Sequence, residues 1–140
     1  MRALGRCSGC VIESEDFSGN RLTSINLSEA KLTDVALDQA QLNLAVFDNA
    51  ILVRVSFAGT NLSGATFVGA QLVDVSFEGA NLRGAVFEGA RLERTRLDTA
   101  HLCNTQTPAD EMDNSDCDAT WEGRTARLRP GNASPEGVGR

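Results

Sequence analysis

The sequence predicts an all-β fold in which the chain winds into stacked square coils, twenty residues to a coil and about five coils high. Three observations predict it. Leu or Phe fills every fifth position in an unbroken run of eighteen: Phe17, Leu22, Leu27, Leu32, Leu37, Leu42, Phe47, Leu52, Phe57, Leu62, Phe67, Leu72, Phe77, Leu82, Phe87, Leu92, Leu97 and Leu102. Phe and Leu alternate through the middle of that column, so like recurs at ten and twenty residues but not at fifteen. Two places before the column, where Ala is commonest, stand Val35, Val55, Val75 and Thr95, again twenty apart.

A five-residue period fits neither common element. On a helix, five residues turn the side chain through about 140°, so the column would wind around the axis instead of forming one apolar stripe. In a straight strand five is odd, and successive members would alternate faces. A chain that turns a corner after each short extended segment sends every fifth side chain toward one axis, and four such sides close a square. Twenty-residue spacing also stacks Asp34, Arg54, Asp74 and Arg94 in a vertical ladder of alternating charge, with coils separated by about 4.8 Å.

Taken in chain order, residues 1–10 form an N-terminal cap or first partial coil, with Cys7 and Ile12 extending the column outward. Residues 11–106 are the regular coils, with glycine at the corner at Gly19, Gly59, Gly64, Gly69, Gly79, Gly84 and Gly89, where a turn can use positive φ. Residues 107–118 read as degenerate last repeats in which Thr107, Met112 and Cys117 continue the column and the regular structure frays. Residues 119–140, rich in Gly, Pro, Ser and Arg, read as a flexible C-terminal tail. Trp121 either folds back over the last coil as a cap or stays with the tail; both alternatives are open. A stack of coils needs some such cover, because its ends expose apolar side chains and unpaired strand edges.

The units AQLVD, VSFEG, ANLRG, AVFEG and ARLER, within residues 70–94, resemble the A-(D/N)-L-x-x unit of the pentapeptide-repeat family, and the likeness runs from residue 15 to 104. The resemblance implies a right-handed quadrilateral β-helix with the Leu/Phe and the small residue two before it pointing inward. Asn or Asp before the central residue is less frequent here than in the family pattern, with Asn26, Asn61 and Asn81 as examples. The resemblance also implies a function class. Several family members mimic a DNA duplex, bind DNA gyrase in its place and protect against gyrase inhibitors.

The four cysteines and the single histidine are the residues with reactive chemistry. Cys7 and Cys10 form a CxxC pair that resembles half a zinc site, but Cys103 and Cys117 lie about five coils away, roughly 20 Å at the strand spacing. Small buried side chains are the favoured reading of Cys7 and Cys10, with a redox pair or a shared metal as alternatives. Cys103 is expected to point outward as a free, reactive thiol. His101 is expected beside it as an exposed polar residue. No pocket, phosphate loop or Ser/His/Asp set accompanies them, so the expectation is no enzyme, no cofactor and no metal.

Function is therefore expected on the outer walls. The wall of columns 22, 42, 62, 82 and 102 displays a mostly uncharged ladder of Arg21, Gln41, Asn61, Asn81 and His101. The wall of columns 17, 37, 57, 77 and 97 displays Asp16, Asp38, Glu78 and Asp98 among small residues and reads as an acidic face. The other two, adjacent across a corner, display Val46, Val68 and Val86 beside Ile51, Val53 and Val73, a candidate partner patch. β-Branched residues also suit strands by propensity alone.

The leading expectation is a non-enzymatic scaffold that binds a protein partner, with a homodimer as an alternative occupant. The second is a DNA-mimicking partner of DNA gyrase or another topoisomerase. Net charge of −6 agrees with it, yet residues 11–106 hold twelve acids against seven bases, and the alternating charges do not trace a same-sign path. The third is a rigid carrier whose C-terminal tail is modified. Direct nucleic-acid binding and membrane association are not expected; no run approaches the roughly 20 apolar residues of a spanning helix. Cytoplasmic localisation is expected from the absence of an apolar leader in MRALGRCSGC.

Overall fold

The computed structural model describes residues 8–109 and 111–117. Five three-residue strands, β1 (Val11–Glu13), β2 (Lys31–Thr33), β3 (Ile51–Val53), β4 (Gln71–Val73) and β5 (Arg91–Glu93), recur at twenty-residue spacing. They stack in chain order as one parallel sheet, Leu32 over Ile12 and Leu52 over Leu32. Four full turns thus separate β1 from β5, and this sheet is the first wall of the square. Single parallel pairs build the other three at the same spacing: Asp16 to Arg96 through Ala36, Ser56 and Ser76; Arg21 to His101 through Gln41, Asn61 and Asn81; Asn26 to Gln106 through Val46, Thr66 and Val86. The chain is a four-walled β-solenoid with no helix among the described residues.

The corners explain the count of five. Every fifth residue from Gly9 to Arg94 has φ between +49° and +77°, glycine or not. At three corners of each coil the column carbonyl accepts the N–H three residues on, as from Ala40 to Leu37 at 3.1 Å and from Ala50 to Phe47 at 3.0 Å. That bond with positive φ at the third residue is a type II turn. The corner after the strands differs: among the described residues no such bond closes it, and its inner position holds Val35, Val55 or Val75, each 2–4% exposed. The extra methyl groups of valine fill the wider corner, which is why Ala yields to Val every twenty residues.

One corner departs from the series. Thr99 does not take positive φ, as expected of a β-branched residue. The Gly79 N–H bonds to Thr99 O at 3.0 Å, whereas Gly59, one coil below, bonds to Glu78 O at 2.9 Å. The last regular coil is therefore displaced by one residue at this corner.

The column residues from Leu27 to Phe87 are at most 2% exposed, whereas Leu22, Leu92 and Leu97 near the ends are only partly buried. Phenylalanines occupy two opposite walls. Phe47, Phe67 and Phe87 stack on one at 4.8 and 4.7 Å, Phe57 and Phe77 on the other at 5.2 Å, and the two ladders meet edge to face at 5.5–6.0 Å. Leucines of the intervening walls fill the space between them. This geometry requires the Phe/Leu alternation read in the sequence. Where Thr replaces Ala inside a corner its hydroxyl is satisfied: Thr60 Oγ1 donates to Leu37 O at 2.8 Å.

Residues 107–109 and 111–117 do not continue the repeat. The chain turns back as an antiparallel hairpin of β6 (Thr105–Gln106) and β7 (Met112–Asp113), and Met112, expected in the column, is 59% exposed. A further parallel coil would have recreated an unpaired edge, whereas the antiparallel return covers one. The expectations for Cys7, Trp121 and the tail at 119–140 lie outside the described residues.

Phe67 has a stacked ring on each side and two edge contacts. Phe67→Ala is expected to lower the unfolding free energy in urea by about 4 kcal/mol. Phe17→Ala, at the open end of its column, is expected to cost less than about half as much.

Candidate functional surfaces and the capped end

The charge ladder sits at the corner after the strands. Arg54 grips Asp34 through two parallel hydrogen bonds, Nε to Oδ1 at 2.6 Å and Nη2 to Oδ2 at 3.1 Å, and Arg94 grips Asp74 the same way at 2.7 and 3.1 Å. The Arg54 hydrogen bond holds the Asp34 carboxyl below its usual range, and Arg94 does so for Asp74, with Arg54 adding a weaker attraction from below. Both pairs are exposed, so each contributes little. They link the side chains of successive coils at a corner where no glycine is used.

On the wall read as acidic, the Ser18 side chain and then the Ser18 N–H, at 3.0 Å, hydrogen-bond the Asp16 carboxylate and lower its pKa. Asp38 has one carboxylate oxygen, Oδ1, buried without a hydrogen-bond partner among the described residues. Arg96, on the same wall, holds Asp98 through bonds of 3.1 and 2.8 Å. Asp98 is thereby neutralised, and the acidic face reduces to Asp16, Asp38 and Glu78.

The Val/Ile residues all lie half-buried on two adjacent walls. Val53 stacks on Val73, and Val46, Thr66 and Val86 form one vertical row. Val68 stands between that row and the strand wall, in a vertical column with Asp48, whose Oδ1 accepts the Val68 N–H at 3.1 Å, and Glu88, so a carboxylate flanks it on either side along the rod. Leu44, a corner residue 57% exposed, is an apolar surface group that the column analysis did not flag.

Two expectations at the C-terminal end are corrected. Cys103 is not an outward free thiol: it is 2% exposed and disulfide-bonded to Cys117. His101 is not an exposed polar residue: it is 7% exposed, with Nε2 3.1 Å from Asp116 O. The cause of both is the hairpin, which lies across this wall. Asp116 mimics the missing coil above Leu102, its N–H donating to Leu102 O at 2.9 Å and its carboxylate accepting the Leu102 N–H at 2.9 Å. Asn114 Oδ1 accepts the Asn104 N–H at 2.7 Å. The cysteine pair, separated by fourteen residues, staples this cap to the coil beneath it. Cys10 is also disulfide-bonded, which replaces the reading of it as a plain buried side chain or a metal ligand.

A depression of about 310 Å³ beside β5 is lined by Gln71, Val73, Arg91, Leu92 and Glu93. It brings one acid and one base together beside apolar groups, with no nucleophile. No helix among the described residues is long and apolar enough to cross a membrane.

The folded-state pKa of Asp34 and Asp74 lies below the unfolded value, about 3.9. The stabilisation they contribute is therefore present above pH 4 or so and lost as pH falls through the folded pKa. Urea midpoints of wild type and Arg54→Gln should differ at pH 7 and converge as acidification carries Asp34 through its lowered folded-state pKa. A gap that persists unchanged at acid pH would contradict this.

Comparison with known proteins agrees with this architecture. The family model for pentapeptide repeats matches in eight copies over residues 16–49, 40–79 and 70–105. No curated protein matches the chain in sequence. Among solved structures, HetL, a pentapeptide repeat protein involved in heterocyst differentiation regulation from Nostoc sp. strain PCC 7120, superposes with a TM-score of 0.72 at 31% identity. The match covers 77% of this chain and 51% of HetL, so this chain spans about half of that relative. A pentapeptide repeat protein of the Arabidopsis thaliana thylakoid lumen gives a TM-score of 0.61 at 23% identity, covering 66% of this chain and 65% of that one. Trypsin-treated QnrB1, a plasmid-mediated fluoroquinolone resistance protein, is also similar, at 19% identity and a TM-score of 0.33 over 69% of this chain and 57% of QnrB1. The repeat, the square coil and the family-model match over most of the chain make it a member of the pentapeptide-repeat family.

Proposed function

We propose that this protein is a non-enzymatic scaffold that binds a protein partner through the corner between the Val46/Thr66/Val86 row and the β2–β4 strands. The observation that supports the reading is a set of half-buried apolar groups on two adjacent walls: Val53 stacked on Val73 with Ile51 on the strand wall, and Val46 and Val86 in one column of the next wall with Val68 between that column and the corner. These groups are offered at fixed spacing by a backbone bonded coil to coil, so binding orders little chain. Apolar groups exposed together on a rigid wall suit a protein surface better than a small ligand, which needs concavity.

The gyrase-directed alternative draws on the acidic wall. It is weaker here, because the Arg96–Asp98 pair and the two ladder pairs neutralise charge that a duplex mimic would display as a continuous path. The similarity to QnrB1 is too slight to add support. The carrier reading depends on residues 119–140 and gains no argument from the described coils.

Two variants separate the first two readings: Val53→Ser/Val73→Ser/Val86→Ser on the apolar corner, and Asp16→Asn/Asp38→Asn/Glu78→Asn on the acidic wall. Affinity capture from the native host is expected to yield a protein retained by the acidic-wall variant and lost by the apolar-corner variant, with both variants folded. Purified gyrase is expected to supercoil DNA unchanged with excess protein. Inhibition of supercoiling that the acidic-wall variant abolishes would instead establish the alternative.

A further inference from the structure

We infer that the Cys103–Cys117 disulfide is a site of thiol–disulfide exchange that opens and closes the C-terminal cap. The two sulfurs are unequally placed. Cys103 is 2% exposed beneath the hairpin, whereas Cys117 is exposed at its end. An incoming thiolate therefore reaches Cys117 first.

The step balances with a dithiol reductant. One reductant thiolate attacks Cys117 Sγ, the Cys103–Cys117 bond breaks, and Cys103 leaves as a thiolate that takes up a proton. The second reductant thiol then attacks the mixed disulfide, releases Cys117 as a thiol, and leaves the reductant oxidised. Two electrons and two protons pass to the protein.

What the bond controls follows from how the cap is held. Of residues 111–117 only Asp116 is buried, and Met112, the cap's large apolar residue, faces solvent. Little hydrophobic area fastens the hairpin. Its other attachments are polar: the two bonds between Asp116 and the Leu102 backbone, the contact of His101 Nε2 with Asp116 O, the bond from the Asn104 N–H to Asn114, and the short β6–β7 pairing. The disulfide keeps these groups at high effective concentration, and without it they compete with water. Opening the cap bares the Leu102 and Asn104 backbone edge together with the Cys103 thiol. The deeper coils, bonded on both sides, stay closed. In an oxidising compartment the cap is shut; in a reducing one it is open or cycles with the thiol pool.

The test uses the full chain with dithiothreitol as probe, thiol alkylation with mass readout, and amide hydrogen exchange. When alkylation reports Cys103 and Cys117 reduced, exchange at the Leu102 and Asn104 amides is expected to rise at least about tenfold while Leu62, bonded to Asn81 O, stays protected. Cys117→Ser should show the same fast exchange without reductant, and reductant should add nothing further at those two amides, which separates this bond from the one at Cys10. The inference is overturned if the pair is reduced with exchange at Leu102 and Asn104 unchanged. It is equally overturned if the bond resists dithiothreitol while Leu62 is protected, or if Leu62 loses protection together with Leu102.

Discussion

The corner is the constraint on which the rest of this structure depends. Every fifth residue from Gly9 to Arg94 takes left-handed φ, a conformation that costs an ordinary side chain about 1 kcal/mol. Eight of these corners avoid that cost with glycine; the others hold residues as unsuited as Leu44 and Arg54. What offsets it is the coil-to-coil hydrogen bonding that each corner makes available. The N–H of the corner residue itself bonds upward, as Gln39 does to Ala58 O at 2.9 Å and Arg54 does to Val73 O at 2.9 Å. The turn and the stack are therefore one cooperative unit, as in other repeat architectures.

Several otherwise unrelated sequence features follow from having four unlike walls. Phenylalanine falls on two opposite walls because rings can then stack vertically and meet edge to face across the core. Valine replaces alanine once per coil because one corner lacks the closing hydrogen bond of the other three. The bidentate Asp34–Arg54 and Asp74–Arg94 pairs sit at that same corner, where the turn lacks a closing hydrogen bond of its own. Solenoids repeat, but the coil here is twenty residues of distinct positions and not four copies of five.

Those internal features were legible in the sequence because the period ties each side chain to an inward or outward direction. The Leu/Phe column, the Val corner and the Asp/Arg spacing needed only counting. The C-terminal end was not legible for the same reason. His101 and Cys103 occupy positions that the period marks as outward, and their burial is decided by a hairpin that has left the period. Nothing in the spacing of Asp116 announces that its carboxylate and N–H replace the neighbours of Leu102. The Cys103–Cys117 separation of fourteen is likewise incommensurate with five. The grip of Arg96 on Asp98 within the acidic wall is also a matter of side-chain reach and not of the period.

For function, the consequence is a division of labour along the rod. The middle coils form rigid walls whose chemistry is fixed by side chains at set heights; the C-terminal end is a separate, covalently stapled element. The most direct measurement of the underlying account is a pair of internal deletions compared by equilibrium unfolding. Removing residues 51–70 takes out one whole coil and joins Ala50 to Gln71 in phase; removing residues 51–55 takes out one side and rotates every later residue onto a neighbouring wall. The twenty-residue deletion should keep a cooperative transition and lose less stability than the five-residue deletion, although it removes four times as much chain. A five-residue deletion as stable as the twenty-residue one, or more so, would contradict the claim that the four walls are distinct.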